Sequence, residues 1–141
     1  MIDRIFVEAK LSNVKTYLKE LEDVLIYSDH EIMKDFMKLR ALERIFQLIV
    51  DEIIDINNHI VRYAKLEIPE DFQSSFLVLA KNKILPGEFA KKIAPVVGLR
   101  NRLVHRYEKV DVRILLGAVR KNRTDFNKYI KHILRFLKVP L

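Results

Sequence analysis

From Leu39 to Tyr63 the apolar residues Leu39, Leu42, Phe46, Ile49, Ile53, Ile56, Ile60 and Tyr63 recur at steps of three and four. That spacing draws one stripe along a helix and excludes a strand, in which buried positions alternate every second residue. Arg44, Gln47, Asp51, Asp55, Asn58 and Arg62 take the opposite side, so this helix is expected to lie against a core along its whole length. Ile114, Leu115, Val119, Phe126, Ile130, Ile133, Leu134 and Leu137 make the same case for the C-terminal part. With only 3 glycines and 4 prolines in 141 residues, turn-forming material is scarce, and breaks are expected at Pro69 and Pro86-Gly87. The pattern predicts helices over about residues 2–26, 30–65, 71–83, 87–106 and 111–138. Joined by short links they make an all-α, up-and-down helical bundle of four to five helices, a single domain over 1–141. Asp29 and Asp111 are expected to cap the helices that follow them.

Composition narrows the chemistry. There is no cysteine, which excludes disulfides and thiolate metal sites. No stretch approaches the roughly 20 apolar residues of a membrane span. Asp3, Arg4, Glu8 and Lys10 interrupt the N-terminus, which lacks the apolar run of a signal peptide, so a soluble cytoplasmic protein without membrane contact is expected. The formal charge is +7, and the stretch from Gly98 to Arg123 carries +6 of it, with eight basic residues against Glu108 and Asp111. A field of that kind suits a polyanion, because Lys and Arg that neutralise phosphates release condensed counterions. A solvated helix face in a basic protein accounts for the charge equally well.

One segment breaks the apolar pattern. In the fourth expected helix the stripe runs Ile93, Val97, Arg100, Val104, Tyr107, placing a guanidinium in an Ile/Val seam. Such a group must be paired, snorkel to the edge, or face an anion. Asp51 and Asp55 are the candidate partners. A second line, Gly98, Asn101 and His105, runs beside the first. Glycine inside a helix points to a close approach by a helix or a substrate, and Asn101 lies four residues before His105, within reach to orient its imidazole. In an ideal helix Arg100 and His105 point about 140° apart. They converge only if the helix tightens or ends near His105, or if a second chain supplies the missing group.

The run Arg100-Asn101-Arg102-Leu103-Val104-His105-Arg106-Tyr107 resembles the R-x4-H-x-Y motif of the HepT toxins, a prokaryotic branch of the HEPN superfamily. The resemblance extends to Arg40-Ala41-Leu42-Glu43-Arg44, the polar stretch from Asp51 to Asn58, the Pro69 linker and Val97-Gly98-Leu99, and so covers most of the chain. It implies a HEPN-like bundle and a metal-independent endoribonuclease, the toxin of a toxin–antitoxin pair. Arg100 and His105 are then catalytic, Asn101 and Tyr107 support them, and Arg102, Arg106, Lys109 and Arg113 bind RNA. No cofactor is implied.

These residue types suit RNA cleavage on their own terms. RNA carries its nucleophile in the 2'-hydroxyl, so a base, an acid and positive charge suffice. Histidine moves protons near neutral pH, and arginine offers phosphate a planar fork of donors. Each chain has one such His, and a homodimer would bring two copies of the motif to one cleft. The resemblance also implies an MntA-like nucleotidyltransferase antitoxin that transfers AMP to Tyr107, placing an anionic group beside Arg100. Two other readings remain open at this stage. The chain can be a non-catalytic nucleotide- or partner-binding accessory subunit of a minimal nucleotidyltransferase. Alternatively, Asp51, Asp55 and His59, on one helical face at steps of four, can hold a metal. His30 and His132 have no companions that suggest ligation and are expected at the surface.

Overall fold

A computed structural model describes residues 1–105 and 110–138. Among them the chain forms α1 (Arg4–Leu25), α2 (Asp29–Lys34), α3 (Phe36–Tyr63), α4 (Ser75–Lys81), α5 (Gly87–Ile93), α6 (Val96–His105) and α7 (Val112–Lys138), with no strand. The all-α class is as expected, but seven helical segments replace the four to five. Two of the expected helices are each cut in two by a residue whose chemistry stops a helix.

The first cut is at Asp35. The expected helix over 30–65 becomes α2 and α3 because the Asp35 carboxylate accepts from the Met37 and Lys38 amides, at 2.9 and 3.4 Å, and pairs with Lys38 Nζ at 2.7 Å. Its backbone is extended, with φ −115° and ψ 101°, so it caps the new helix rather than continuing the old one. Asp29 does not cap α2. Ser28 does, in a capping box: its hydroxyl accepts from the Glu31 amide and the Glu31 carboxylate accepts from the Ser28 amide. The Ser28 amide, and after it the Ser28 hydroxyl, holds the Glu31 carboxyl below its ordinary pKa. Asp29 instead accepts from Arg120 Nε at 2.8 Å. The second cut is at Pro95, which has no N–H to give to the turn before it, so the expected helix over 87–106 ends as α5 at Ile93 and restarts as α6. Asp111 does cap α7, accepting from the Arg113 amide at 2.9 Å.

The α3 stripe is buried as its spacing demands. Leu42, Phe46, Ile49, Ile53, Ile56 and Ile60 are inaccessible to solvent, while Leu39 and Tyr63 mark the ends, where the helix leaves the core. Val7, Leu11, Val14, Leu18, Leu21 and Leu25 of α1 are buried at the same steps. Lys10 with Asp55 and Asn13 with Glu52 fix α1 antiparallel to α3. Glu22 with Arg123, and the Leu25 carbonyl with Arg120, fix α1 antiparallel to α7. The short α4 and α6 pack on the remaining side of α3, and α5 packs on α4 and α7.

Inside this core lies one polar chain. Tyr129 of α7 donates from its hydroxyl to Asn57 Oδ1, Asn57 Nδ2 donates to Ser75 Oγ at 3.1 Å, and Ser75 Oγ donates to the Phe72 carbonyl at 2.6 Å. Burial raises the Tyr129 phenol well above its ordinary pKa and keeps it a donor. Replacing Asn57 by alanine orphans the Tyr129 hydroxyl and leaves Ser75 Oγ only its bond to the Phe72 carbonyl, and a loss of about 2–4 kcal/mol in urea unfolding is expected, against about 1–2 kcal/mol for Tyr129→Phe.

At the N-terminal end, His59 stacks between Phe6 and Tyr63, at centroid distances of 4.7 and 4.5 Å, and its Nε2 accepts from the Asp3 amide at 3.0 Å. Burial lowers its pKa, and the nearby N-terminal ammonium adds to that against the opposing Asp3 carboxylate. A histidine with a depressed folded pKa contributes stability that is present above its unfolded value, near 6.5, and lost as pH falls through the folded one. His132, its ring tilted against Phe89 at 5.0 Å and its pKa lowered by burial, acts in the same sense. Stability should therefore fall between about pH 7 and 5, and His59→Phe should shrink that fall; an unchanged pH profile in the variant would contradict the assignment.

Candidate functional site

Pro95 sets the phase of α6 and with it the exposure of the motif. The buried residues of α6 are Val96, Val97, Leu99 and Leu103, so the seam is not the expected line through Ile93, Val97, Arg100, Val104 and Tyr107. Ile93 belongs to a different helix, and Val104 is 37 % exposed. Arg100 therefore sits at the edge of the seam rather than in it, its side chain 21 % exposed.

The partner of Arg100 is Asp51. Arg100 Nε donates to Asp51 Oδ1 at 2.7 Å, tying α6 to α3, and Arg100 Nη1 donates to Asn101 Oδ1 at 3.0 Å. A guanidinium has five N–H donors in a fixed plane, and these bonds use two, leaving three for an incoming anion. Asp55, the other candidate, is taken by Lys10 at 2.8 Å. The Asn101 side chain, which the spacing places within reach of His105, gives its carbonyl oxygen to Arg100.

His105 is the last described residue of α6 and is exposed. Arg106, Tyr107 and Lys109 lie outside the described residues. Arg102 and Arg113 are both exposed, the first on α6 and the second in the first turn of α7, and neither has an ion pair among the described residues. Not all of the basic stretch is open to a ligand. Arg120 donates to Asp29, to the Leu25 carbonyl and to the Tyr27 carbonyl, and Arg123 pairs with Glu22 at 3.2 Å. Those two cations hold the α1–α2 turn against α7.

The candidate metal ligands are dispersed. Asp51 is paired with Arg100, Asp55 with Lys10, and His59 Nε2 is held by the Asp3 amide. No cluster of three ligating side chains occurs among the described residues. Two clefts of about 700 and 570 Å³ share Asn58 and Arg62 on α3, and neither includes a residue of the Gly98–His105 stretch. Gln73, which no sequence signal singled out, lies beside Gly98.

The sequence profile of the HepT-like ribonucleases matches residues 14–133. The chain belongs to this family. Its enzyme class is that of the family, a ribonuclease. A tRNA nuclease HepT of Aphanizomenon flos-aquae is 33% identical over 138 residues, covering 96% of this chain and 92% of the relative. An mRNA nuclease HepT of Shewanella oneidensis is 30% identical over 122 residues, covering 86% and 90%. The fold is similar to that of the tri-AMPylated Shewanella oneidensis HEPN toxin in its complex with the MNT antitoxin, at TM-score 0.87 and 27% identity, over 94% of this chain and 99% of that one. YutE, a cytosolic protein of Bacillus subtilis, shares the fold at TM-score 0.86 and 20% identity, over 99% of this chain and 96% of that one. No helix among the described residues is long and apolar enough to cross a membrane.

The Arg100–Asp51 pair is partly screened by solvent, so a double-mutant cycle of Arg100→Ala and Asp51→Ala should give a coupling energy of about 1 kcal/mol in urea unfolding. A coupling near zero would remove Asp51 as the group that orients Arg100.

Proposed function

We propose that this chain is the toxin of a toxin–antitoxin pair and cleaves RNA without a metal, through a composite site shared by two copies of the motif in a homodimer. The observation that carries this reading is Arg100, anchored to α3 by Asp51 at 2.7 Å yet with three of its donors unspent among the described residues, five residues before an exposed His105. Family membership supports the same reading. The relatives named as tRNA and mRNA nucleases share most of their length with this chain.

In this mechanism the 2'-oxygen attacks the adjacent phosphorus as its proton passes to one His105. The 5'-oxygen leaves with a proton from the second His105, contributed by the other subunit, and a 2',3'-cyclic phosphate remains. Arg100 donates to the non-bridging oxygens as the phosphorane gathers charge. Asn101 supports the site by holding the Arg100 guanidinium through its carbonyl oxygen, and Tyr107 supports the phosphate or stacks on a base. Arg102, Arg106, Lys109 and Arg113 hold the flanking RNA backbone. The dimer resolves the angular separation of Arg100 and His105 on one helix, since the two need not come from the same chain. The protein works in the cytoplasm, where its RNA substrates are.

The off switch is AMP transfer to Tyr107 by an MntA-like nucleotidyltransferase. The AMPylated toxin among the structural relatives supports it. The phosphodiester formed on the phenol would place an anion next to Arg100 and occupy the RNA path.

Purified protein in excess chelator should cleave single-stranded tRNA and mRNA transcripts, run as a dimer by light scattering, and lose at least about a hundredfold in rate on His105→Ala. Parental rates in that variant, or activity abolished by chelator, would overturn the assignment. RNA or nucleotide binding with no cleavage would return the chain to the accessory-subunit reading.

A further inference from the structure

Glycine is the poorest helix former after proline, so one inside a helix calls for a cause. Two lie inside helices here, Gly98 in α6 and Gly117 in α7, and neither has a positive φ. Among the described residues, a methyl group built on Gly98 would meet only Gln73 Oε1, at 3.7 Å, an ordinary contact with the movable end of a side chain. The packing of the chain thus does not require a glycine at position 98. Gly117 has nothing within 4 Å among the described residues, not even a polar side chain beside it.

Gly98 differs in what surrounds it. It is partly exposed, on the same line as Asn101 and His105, and two helical turns, about 10 Å, from the latter. The Gln73 amide beside it is exposed and makes no hydrogen bond among the described residues. Yet the backbone on its C-terminal side is firmly anchored. Ser74 exchanges bonds with Asp71, and Ser75 joins the buried chain through Asn57 to Tyr129. A polar side chain with unused donors and an acceptor is thus presented, by a fixed backbone, beside the one position of α6 that carries no side chain.

Resting on the RNA-cleaving reading above, we infer that Gln73 and Gly98 form a subsite for a nucleotide next to the scissile one in single-stranded RNA. The bare α6 backbone at Gly98 lets the sugar–phosphate chain lie close. The Gln73 amide, donor and acceptor together, bonds the base edge or ribose hydroxyl of a nucleotide roughly one or two positions from the cut. This makes Gln73 a specificity-determining residue, outside the R-x4-H-x-Y motif and on a different element.

The test compares parent, Gln73→Ala and Gly98→Ala on one pool of single-stranded RNAs, with melting temperature and light scattering alongside. Gln73→Ala should keep its melting temperature, raise KM roughly tenfold with the loss in KM rather than kcat, and relax base preference at one position near the cut. Gly98→Ala should melt roughly 2–4 °C higher, remain a dimer, and lose at least about tenfold in kcat/KM. A parental KM and cleavage pattern for Gln73→Ala would overturn the inference, as would a Gly98→Ala protein that is more stable and fully active. A monomeric Gly98→Ala protein would also overturn it, since the glycine would then serve contact between copies. If the parent cleaves nothing, anisotropy of a labelled RNA decides between His105→Ala and His105→Ala/Gln73→Ala. Weaker binding by the double variant keeps the subsite while the cleavage reading fails, and equal binding removes the subsite.

Discussion

A 2.7 Å ion pair between Arg100 and Asp51 joins the helix that bears the motif to the helix that organises the core. With one face of α3 filled by apolar side chains, the positions at its flanks are free to anchor other elements. Asp51 takes α6, Asn57 takes α4 and α7, Glu52 and Asp55 take α1, and His59 takes the N-terminus. A carboxylate beside a guanidinium spends one of its five donors and fixes its plane. The same contact therefore serves the fold, by satisfying a charge at the edge of a seam, and the site, by aiming what is left of that charge outward.

The basic stretch that drew attention in the sequence divides along the same lines. Arg120 and Arg123 belong to the fold, closing the α1–α2 turn with bonds to carbonyls and carboxylates of distant sequence. Arg102 and Arg113 face solvent on the side of the chain where α6 ends and α7 begins. Net charge alone could not make that division, because an arginine that caps a turn and one that meets a phosphate look alike until their partners are known.

Much of the architecture was legible in the residues. The α3 stripe, the capping of α7 by Asp111 and the all-helical class follow from spacing and local chemistry, which act over a few residues. Pro95 and Asp35 went unread as breaks, and the cost was specific. Running α5 and α6 together put Val104 in a seam that it does not enter and placed Arg100 deeper than it lies. Asn57 stands next to the polar Asn58 and reads as part of a solvated face, although it is buried, because its partners Ser75 and Tyr129 are 18 and 72 residues away. Of the candidate site, the pairing of Arg100 with Asp51 was one of two options that spacing allowed. Gln73 left no trace in the pattern at all. Arg106, Tyr107 and Lys109 lie outside the described residues, so their roles rest on chemistry and family likeness.

The central claim is that the two His105 side chains of a dimer, one from each subunit, share a single cut. It is tested most directly by isolating mixed dimers of one parental and one His105→Ala subunit and measuring RNA cleavage in excess chelator. A mixed dimer holds one histidine where the cut takes two, so the account predicts a rate close to that of the His105→Ala homodimer. A mixed dimer that keeps half the parental rate or more would contradict it, since each chain would then carry a complete site of its own.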